Sequence, residues 1–188
     1  MPSRRTGGRS ARVVASTHAA VLDALANVGY QALSIAQIAK QAGVHETSIY
    51  RRWPTKAQLV SDVIIRSALE GVPVPDTGSF ERDMVTLLQR VLDRLDTPLG
   101  VAISQVVATQ EEALASLRRA YWNSRKVAMR PLVLRAIERG ELPGSVQPDF
   151  AFDLFTGPIL LRRIAGEAVP RKYVRKLVSS IIAGLNAT

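Results

Sequence analysis

Apolar side chains recur at helical spacing along almost the whole chain. Val14, Val21 and Leu25 share one face of a first helical segment, and comparable series follow in the later segments. No stretch alternates convincingly between apolar and polar residues, as a half-buried strand would. The pattern therefore predicts an all-α protein of about nine helices.

Capping residues and helix breakers set the predicted boundaries. The helices are expected at about residues 11–28, 35–42, 45–53, 54–70, 80–95, 99–107, 111–139, 148–165 and 170–185. Ser34 can cap helix two through its hydroxyl, while Gly29 and Gly43 can end helices one and two. Pro54 suits the first position of helix four, and Pro131 is expected to kink or split helix seven.

One segment, residues 71–78, has the composition of a linker, because its two prolines and two glycines cannot continue a helix. We therefore predict a flexible basic arm at 1–10, one domain at 11–70 and a second domain at 79–188. The arm and the start of helix one contain Arg4, Arg5, Arg9 and Arg12, which suit contact with phosphates or a minor groove. A solvated tail is the alternative.

Charge is unevenly distributed. The chain has a formal net charge of +9, and its first 60 residues contain eight Lys or Arg but only two acidic residues. This amino-terminal excess favours a polyanionic partner. The apolar run at 150–161 is too short and too interrupted to span a bilayer, and no apolar run follows the first arginines as in a secretory signal. We expect a cytoplasmic protein without membrane contact.

The sequence lacks the usual signs of catalysis. It contains no cysteine, only two histidines, no glycine-rich phosphate loop and no cluster with zinc-ligand spacing. Glu111 and Glu112 are adjacent and do not face one another on a helix. We therefore predict no enzymatic activity, no catalytic residue, no metal and no cofactor.

Two short helices around the Ala42-Gly43-Val44 turn, with a helix on either side, fit the helix-turn-helix arrangement, in which the second helix enters a major groove of DNA. The string from Gly29 to Lys56, GYQALSIAQIAKQAGVHETSIYRRWPTK, resembles the tetracycline-repressor (TetR) family closely. The strong resemblance covers about residues 12–65. It implies a transcription regulator that binds double-stranded operator DNA.

The resemblance also implies roles for individual residues. Ser34 and Lys56 correspond to phosphate contacts of the family, one through a hydroxyl and one through a charge. Thr47, Ser48 and Tyr50 occupy groove-facing positions, where hydroxyls can reach base edges or phosphates. These residues would set the register and contribute to the reading of the operator.

Four further residues complete the implied motif. Arg51 and Arg52 carry the guanidinium geometry that suits guanine or phosphate. His45 stands where the family usually has serine, and Glu46 puts an acid beside the groove, so the pair can tune base choice. His18 departs from the family in helix one, where an aliphatic residue is usual, and we expect a core histidine with its polar atoms satisfied.

For the second domain the resemblance implies a homodimer through helices eight and nine and a ligand cavity within helices five to eight. Tyr121, Trp122, Met129 and Phe155 are the candidate lining of a site for a small apolar ligand. The sequence alone leaves two alternatives open. The ligand can release a repressor from a near-palindromic operator, with helix four as the link, or the second domain can only dimerise or dock a protein.

Overall fold

A computed structural model describes residues 7–69 and 73–187 of the chain. Within these residues it contains nine α-helices, one short 3-10 helix and no strand, which confirms the predicted fold class. The α-helices are α1 (Gly7–Ala32), α2 (Ile35–Ala42), α3 (Glu46–Tyr50), α4 (Lys56–Leu69), α5 (Phe80–Leu95), α6 (Pro98–Ala108), α7 (Ala115–Glu138), α8 (Pro148–Ile164) and α9 (Arg171–Asn186), and the 3-10 helix is Glu112–Leu114.

The helices form two compact units. The first contains Met1–Ala68 and Leu95–Tyr121, and in it α1 packs against α2 and α6 while α2 packs against α3. Burial of apolar side chains is the main stabilising contribution in such a unit. Its largest fully buried side chains are Val21, Leu25, Ile38, Ile49, Leu59, Ile64, Leu114 and Leu117.

The second unit contains Leu69–Arg94 and Trp122–Thr188, with α8 packed against α9. The rings of Phe80 and Phe155 meet edge to face in its core, with their centroids 5.8 Å apart. The chain thus passes between the two units three times, within α4, α5 and α7. By this division α4 is not the single link between the domains that was expected.

The start and end of α1 differ from the prediction. The helix begins at Gly7 rather than at residue 11, so the end of the predicted arm is helical, and residues 1–6 with Arg4 and Arg5 lie outside the described part. Gly29 has φ 73° and ψ 175°, which interrupts the helix where a stop was predicted. A short helical turn resumes after it and ends at Ala32. Glycine adopts such a positive φ without the steric cost of a Cβ.

The prediction for Pro54 was wrong, and Pro131 does not split its helix. Pro54 precedes α4 instead of opening it, because Thr55 and Gln58 form a reciprocal capping box. The Gln58 amide donates to Thr55 Oγ1 at 3.1 Å and the Thr55 amide donates to Gln58 Oε1 at 3.2 Å. Pro131 lies inside the continuous helix α7 rather than splitting it.

Candidate nucleic-acid interface

The turn between α2 and α3 is built on a left-handed glycine. Gly43 has φ 66° and ψ 35°, and its amide donates to the Lys40 carbonyl at 3.3 Å. The Val44 amide donates to the Ala39 carbonyl at 3.0 Å, so the last carbonyls of α2 are paired. His45 then returns to extended backbone and precedes α3. The turn therefore fixes the direction in which α3 leaves α2.

Two apolar side chains anchor the segment around α3. Ile49 is fully buried and Trp53 is 5% exposed. The amides of Arg52 and Trp53 both donate to the Ile49 carbonyl, at 2.9 and 2.8 Å, which continues the helical turn beyond the five residues of α3. The predicted helix of residues 45–53 is thus shorter in the structure, and its buried side chains are Ile49 and Trp53.

The remaining residues of this segment lie at the surface. Tyr50 is 46% exposed and Ser48 is half-buried. The other exposed members are His45, Glu46, Thr47, Arg51 and Arg52. Hydroxyls, guanidinium groups and one carboxylate are therefore carried on one short segment, a combination that suits contact with phosphates and base edges. We name residues 45–52 the recognition segment.

Lys56 has a structural role that the sequence did not reveal. Its Nζ donates to the carbonyls of Tyr30, Gln31 and Leu33 at 3.1, 3.2 and 3.4 Å, and lies 4.6 Å from the centroid of the Tyr30 ring. A lysine ammonium has three protons, and here three carbonyl oxygens accept from it. Lys56 thus joins the start of α4 to the end of α1. Burial raises the pKa of the Tyr30 phenol, and the charge of Glu111 raises it further.

Ser34 stands at the predicted capping position of α2, in extended conformation, but its side chain makes no capping hydrogen bond. The hydroxyl cap was therefore a wrong prediction, although the boundary was right.

Arg52 Nη1 donates to Ser10 Oγ at 3.3 Å, so the first turn of α1 contacts the recognition segment. Arg12 is exposed on α1, and the side chain of Arg9 lies outside the described part.

A cluster of His18, Asp62 and Trp53 lies behind the recognition segment. Asp62 Oδ2 accepts from Trp53 Nε1 at 3.0 Å and lies 3.2 Å from His18 Nε2. The His18 and Trp53 rings are 5.6 Å apart, and the Arg52 guanidinium lies 5.5 Å from the Trp53 ring centroid. His18 thus has the hydrogen-bond partner expected of a satisfied histidine. The sequence pattern contained no signal for Asp62.

The candidate ligand residues do not all belong to one unit. Met129 and Phe155 are buried in the core of the second unit, and Trp122 packs partly buried against that core with its ring edge toward Phe152. Tyr121 is assigned to the first unit. Three of the four thus share one apolar environment, which serves a packed core as well as a ligand lining.

One face of α8 carries exposed apolar side chains. Phe150, Leu161 and Ile164 are 56%, 68% and 83% exposed. Leu161 and Ile164 follow Phe150 by eleven and fourteen residues, close to three and four helical turns, so the three side chains lie along one side of the helix. We name them the α8 stripe. On α9, Val174 and Val178 are buried in their own unit, while Leu177, Ile181, Ile182 and Leu185 are partly buried against the same core.

The described residues contain neither a membrane-spanning helix nor a candidate metal site. No helix there is long and apolar enough to cross a membrane. No group of three or more His, Cys, Asp or Glu side chains in the same residues is arranged to hold a metal ion.

The chain matches two sequence families. Residues 19–63 match the family described as bacterial regulatory proteins, tetR family, and residues 74–181 match the tetracyclin repressor-like C-terminal domain.

Full-length similarity accompanies these matches. The HTH-type transcriptional regulator YdeS of Bacillus subtilis is 32% identical over 180 residues, covering 92% of this chain and 91% of YdeS. The HTH-type transcriptional regulator AqdR of Rhodococcus erythropolis is 30% identical over 177 residues, covering 92% and 83%. The crystal structure of the TetR family transcription regulator SCO0332 superposes with a TM-score of 0.76 at 26% identity, covering 92% of this chain and 97% of that one.

Proposed function

The chain belongs to the TetR family of helix-turn-helix transcriptional regulators, and we propose that it is a repressor that binds a near-palindromic operator as a homodimer. The observation that carries this proposal is the recognition segment. Its polar and basic side chains are exposed, while Ile49 and Trp53 hold it from behind. A cytoplasmic location follows from the proposed partner, chromosomal DNA.

Within the recognition segment we assign roles by chemistry. Arg51 and Arg52 bind guanine or phosphate, and Tyr50 clamps the backbone through its hydroxyl. Glu46 accepts from a cytosine amino group, and with His45 it sets base preference. Thr47 and Ser48 contact base edges or phosphates, and Ser34 contributes a phosphate contact at the edge of the motif.

Lys56 is proposed as a phosphate contact as well, in addition to its bonds to the three carbonyls. The assignment has a specific consequence. Each phosphate contact contributes about 0.9 to the slope of log affinity against log salt. Lys56→Ala should therefore lower that slope by about one, whereas a lysine that only holds α1 and α4 together leaves the slope unchanged.

The α8 stripe supports the homodimer. Exposed leucine, isoleucine and phenylalanine on one helical face are costly in a monomer and are buried when two copies pack. Twofold packing of α8 with its mate covers the same face on both copies. The partly buried residues of α9 contribute at the edge of this interface.

We further propose that a small apolar molecule binds in the second unit, against Trp122, Met129 and Phe155, and weakens operator binding. For release, the ligand must prefer the conformer that does not fit DNA, since equal affinity for both conformers shifts nothing. The coupling is reciprocal, so operator DNA should weaken ligand binding by the same factor. A thermal-shift hit that binds equally with and without operator would favour dimerisation or protein docking instead.

DNA binding by the recognition segment is tested by fluorescence titration with a duplex selected by the protein itself. Tyr50→Ala and Arg51→Ala should weaken binding about tenfold or more, the loss expected when a charge-assisted or clamping contact is removed. Arg90→Ala, on α5 of the second unit, is the matched control and should leave the affinity unchanged. Equal affinities for all four proteins would rule out the assignment.

A further inference from the structure

Three elements of the first unit meet at one carboxylate oxygen. Asp62 Oδ2, on α4, accepts from the indole of Trp53 at 3.0 Å and lies 3.2 Å from the imidazole Nε2 of His18 on α1. Trp53 directly follows the recognition segment. A carboxylate accepts hydrogen bonds only in a limited range of directions. The shared oxygen therefore restricts the orientations of the His18 and Trp53 rings relative to α4.

We propose that His18 and Asp62 are positioning residues for operator recognition, which hold the Trp53 indole and thereby the orientation of the recognition segment. This inference rests on the proposed function, because operator contact by that segment is itself proposed. Neither residue needs to touch DNA. Both would act through Trp53, the polar one of the two buried anchors.

The need for such a device follows from the length of α3. A helix of five residues closes few internal hydrogen bonds, so its orientation depends on tertiary contacts. Ile49 supplies apolar burial, which is non-directional. The indole N–H donating to a charged oxygen is directional and is stronger than a neutral hydrogen bond. The Arg52 guanidinium stacks near the same indole, so a tilt of Trp53 would displace a candidate DNA contact.

Charged groups face His18 from α4 and from the recognition segment. Asp62 and Arg66 face it from α4, and Arg52 faces it from the recognition segment. Burial lowers the pKa of the His18 imidazole below its ordinary 6.5. The charge of Asp62 and the hydrogen bond to it raise this pKa in part, whereas the charges of Arg66 and Arg52 lower it further. The ring is therefore neutral at pH 7, with its proton on Nε2 donated to Asp62.

Protonation would disturb this arrangement. An imidazolium adds a positive charge beside Arg52 and Arg66, and its stronger bond to Asp62 Oδ2 would weaken the bond that the Trp53 indole makes to the same oxygen. Because the folded pKa is depressed, the stabilising contribution of neutral His18 is fully present above pH 6.5 and is lost as the pH falls through the lowered value. Operator affinity should follow the same direction and weaken below pH 6.5.

The first test observes the cluster without DNA. The chain has two tryptophans, so Trp122→Phe leaves Trp53 as the only indole. Protonated imidazole quenches nearby indole emission, and the emission should therefore fall with decreasing pH, with a midpoint below 6.5. Adding His18→Gln should abolish this titration, whereas adding His45→Gln should leave it intact. Emission that does not change with pH, or a titration that persists without His18, would overturn the assignment.

The second test measures operator affinity between pH 7.5 and 5.5 in the His45→Gln background, where His18 is the only imidazole. Affinity should fall toward pH 5.5, and His18→Gln, which keeps a donor for Asp62, should retain binding but lose the pH dependence. His18→Leu and Asp62→Asn should each weaken binding about tenfold at pH 7.5, with circular dichroism verifying the fold. Unchanged affinity in a folded His18→Leu variant would overturn the positioning role but not the proposed function. A wild-type chain that binds no duplex would overturn both.

Discussion

Two buried side chains of single residues, Ile49 and Trp53, anchor the recognition segment. Ile49 and Trp53 are four residues apart, so both had to face the same side, and both are buried. Lys56 was different. Its three acceptors are the carbonyls of residues 30, 31 and 33, about 25 positions earlier in the chain. No local pattern encodes such a contact, because it depends on how α1 and α4 pack.

The contacts of Lys56 predict an effect on stability that does not depend on DNA binding. Lys56→Met keeps an unbranched side chain but removes the three donors and the cation over the Tyr30 ring. The free energy of unfolding should fall by about 1 kcal/mol, the usual net value for lost hydrogen bonds at a partly exposed site. Chemical denaturation measures this directly. Lys40→Met, an exposed lysine on α2, is the control, and equal losses in both variants would contradict the clamp.

At the scale of elements, the turn between α2 and α3 depends on Gly43. A Cβ at Gly43 would meet no atom within 4 Å, so substitution is resisted only by its φ of +66°. Gly43→Ala should cost about 1–2 kcal/mol, the penalty of a left-handed L-residue, and should weaken operator binding because α3 is redirected. Urea denaturation and operator titration provide the two measurements.

The matched control for Gly43 is Gly184, a helical glycine of α9 with equally open surroundings and an ordinary φ. Gly184→Ala should stabilise the protein by up to about 1 kcal/mol through helix propensity. If both alanine variants were stabilised alike, the left-handed turn would not be a requirement of the sequence.

Most helices were predictable, and the errors have physical causes. Helices five, eight and nine matched the prediction within a residue or two because long apolar faces define them. The start of α4 was missed because Pro54 is a helix-start signal, yet the Thr55–Gln58 capping box places the first helical residue later. Pro131 is exposed inside α7, as is Val127 one turn earlier, whose carbonyl loses its helical donor because proline has no N–H.

At the scale of the whole molecule, the sequence could not identify the dimer surface. It gave the apolar residues of α8 and α9, but an intramolecular core uses the same residue types. Val174 and Val178 of α9 are buried in the core of their own unit, whereas Leu161 and Ile164 of α8 are exposed. Burial in the folded chain distinguishes residues of the intramolecular core from residues of a dimer surface. Burial depends on tertiary packing, which the sequence pattern does not show.

The dimer prediction follows from this separation. Leu161→Asp should place a charge in the buried twofold interface, where an unpaired carboxylate is costly, and should yield a monomer. Sedimentation should show the wild-type chain at twice the chain mass and the variant at the chain mass, with its helix content retained. Leu134→Asp, at an exposed leucine of α7 outside the α8 stripe, is the control. A dimer that survives Leu161→Asp would contradict the assignment.

Under this proposal, the recognition segments of a twofold dimer read a near-palindromic operator. Selection of duplexes from a random pool by the wild-type protein and by Glu46→Gln tests it most directly. The wild type should enrich two inverted half-sites, because two recognition segments related by a twofold axis read the same bases on opposite strands. Glu46→Gln should change the preferred base at one symmetric pair of positions, by about 1–3 kcal/mol of discrimination. Failure to enrich an inverted repeat, or an identical motif for both proteins, would contradict the account.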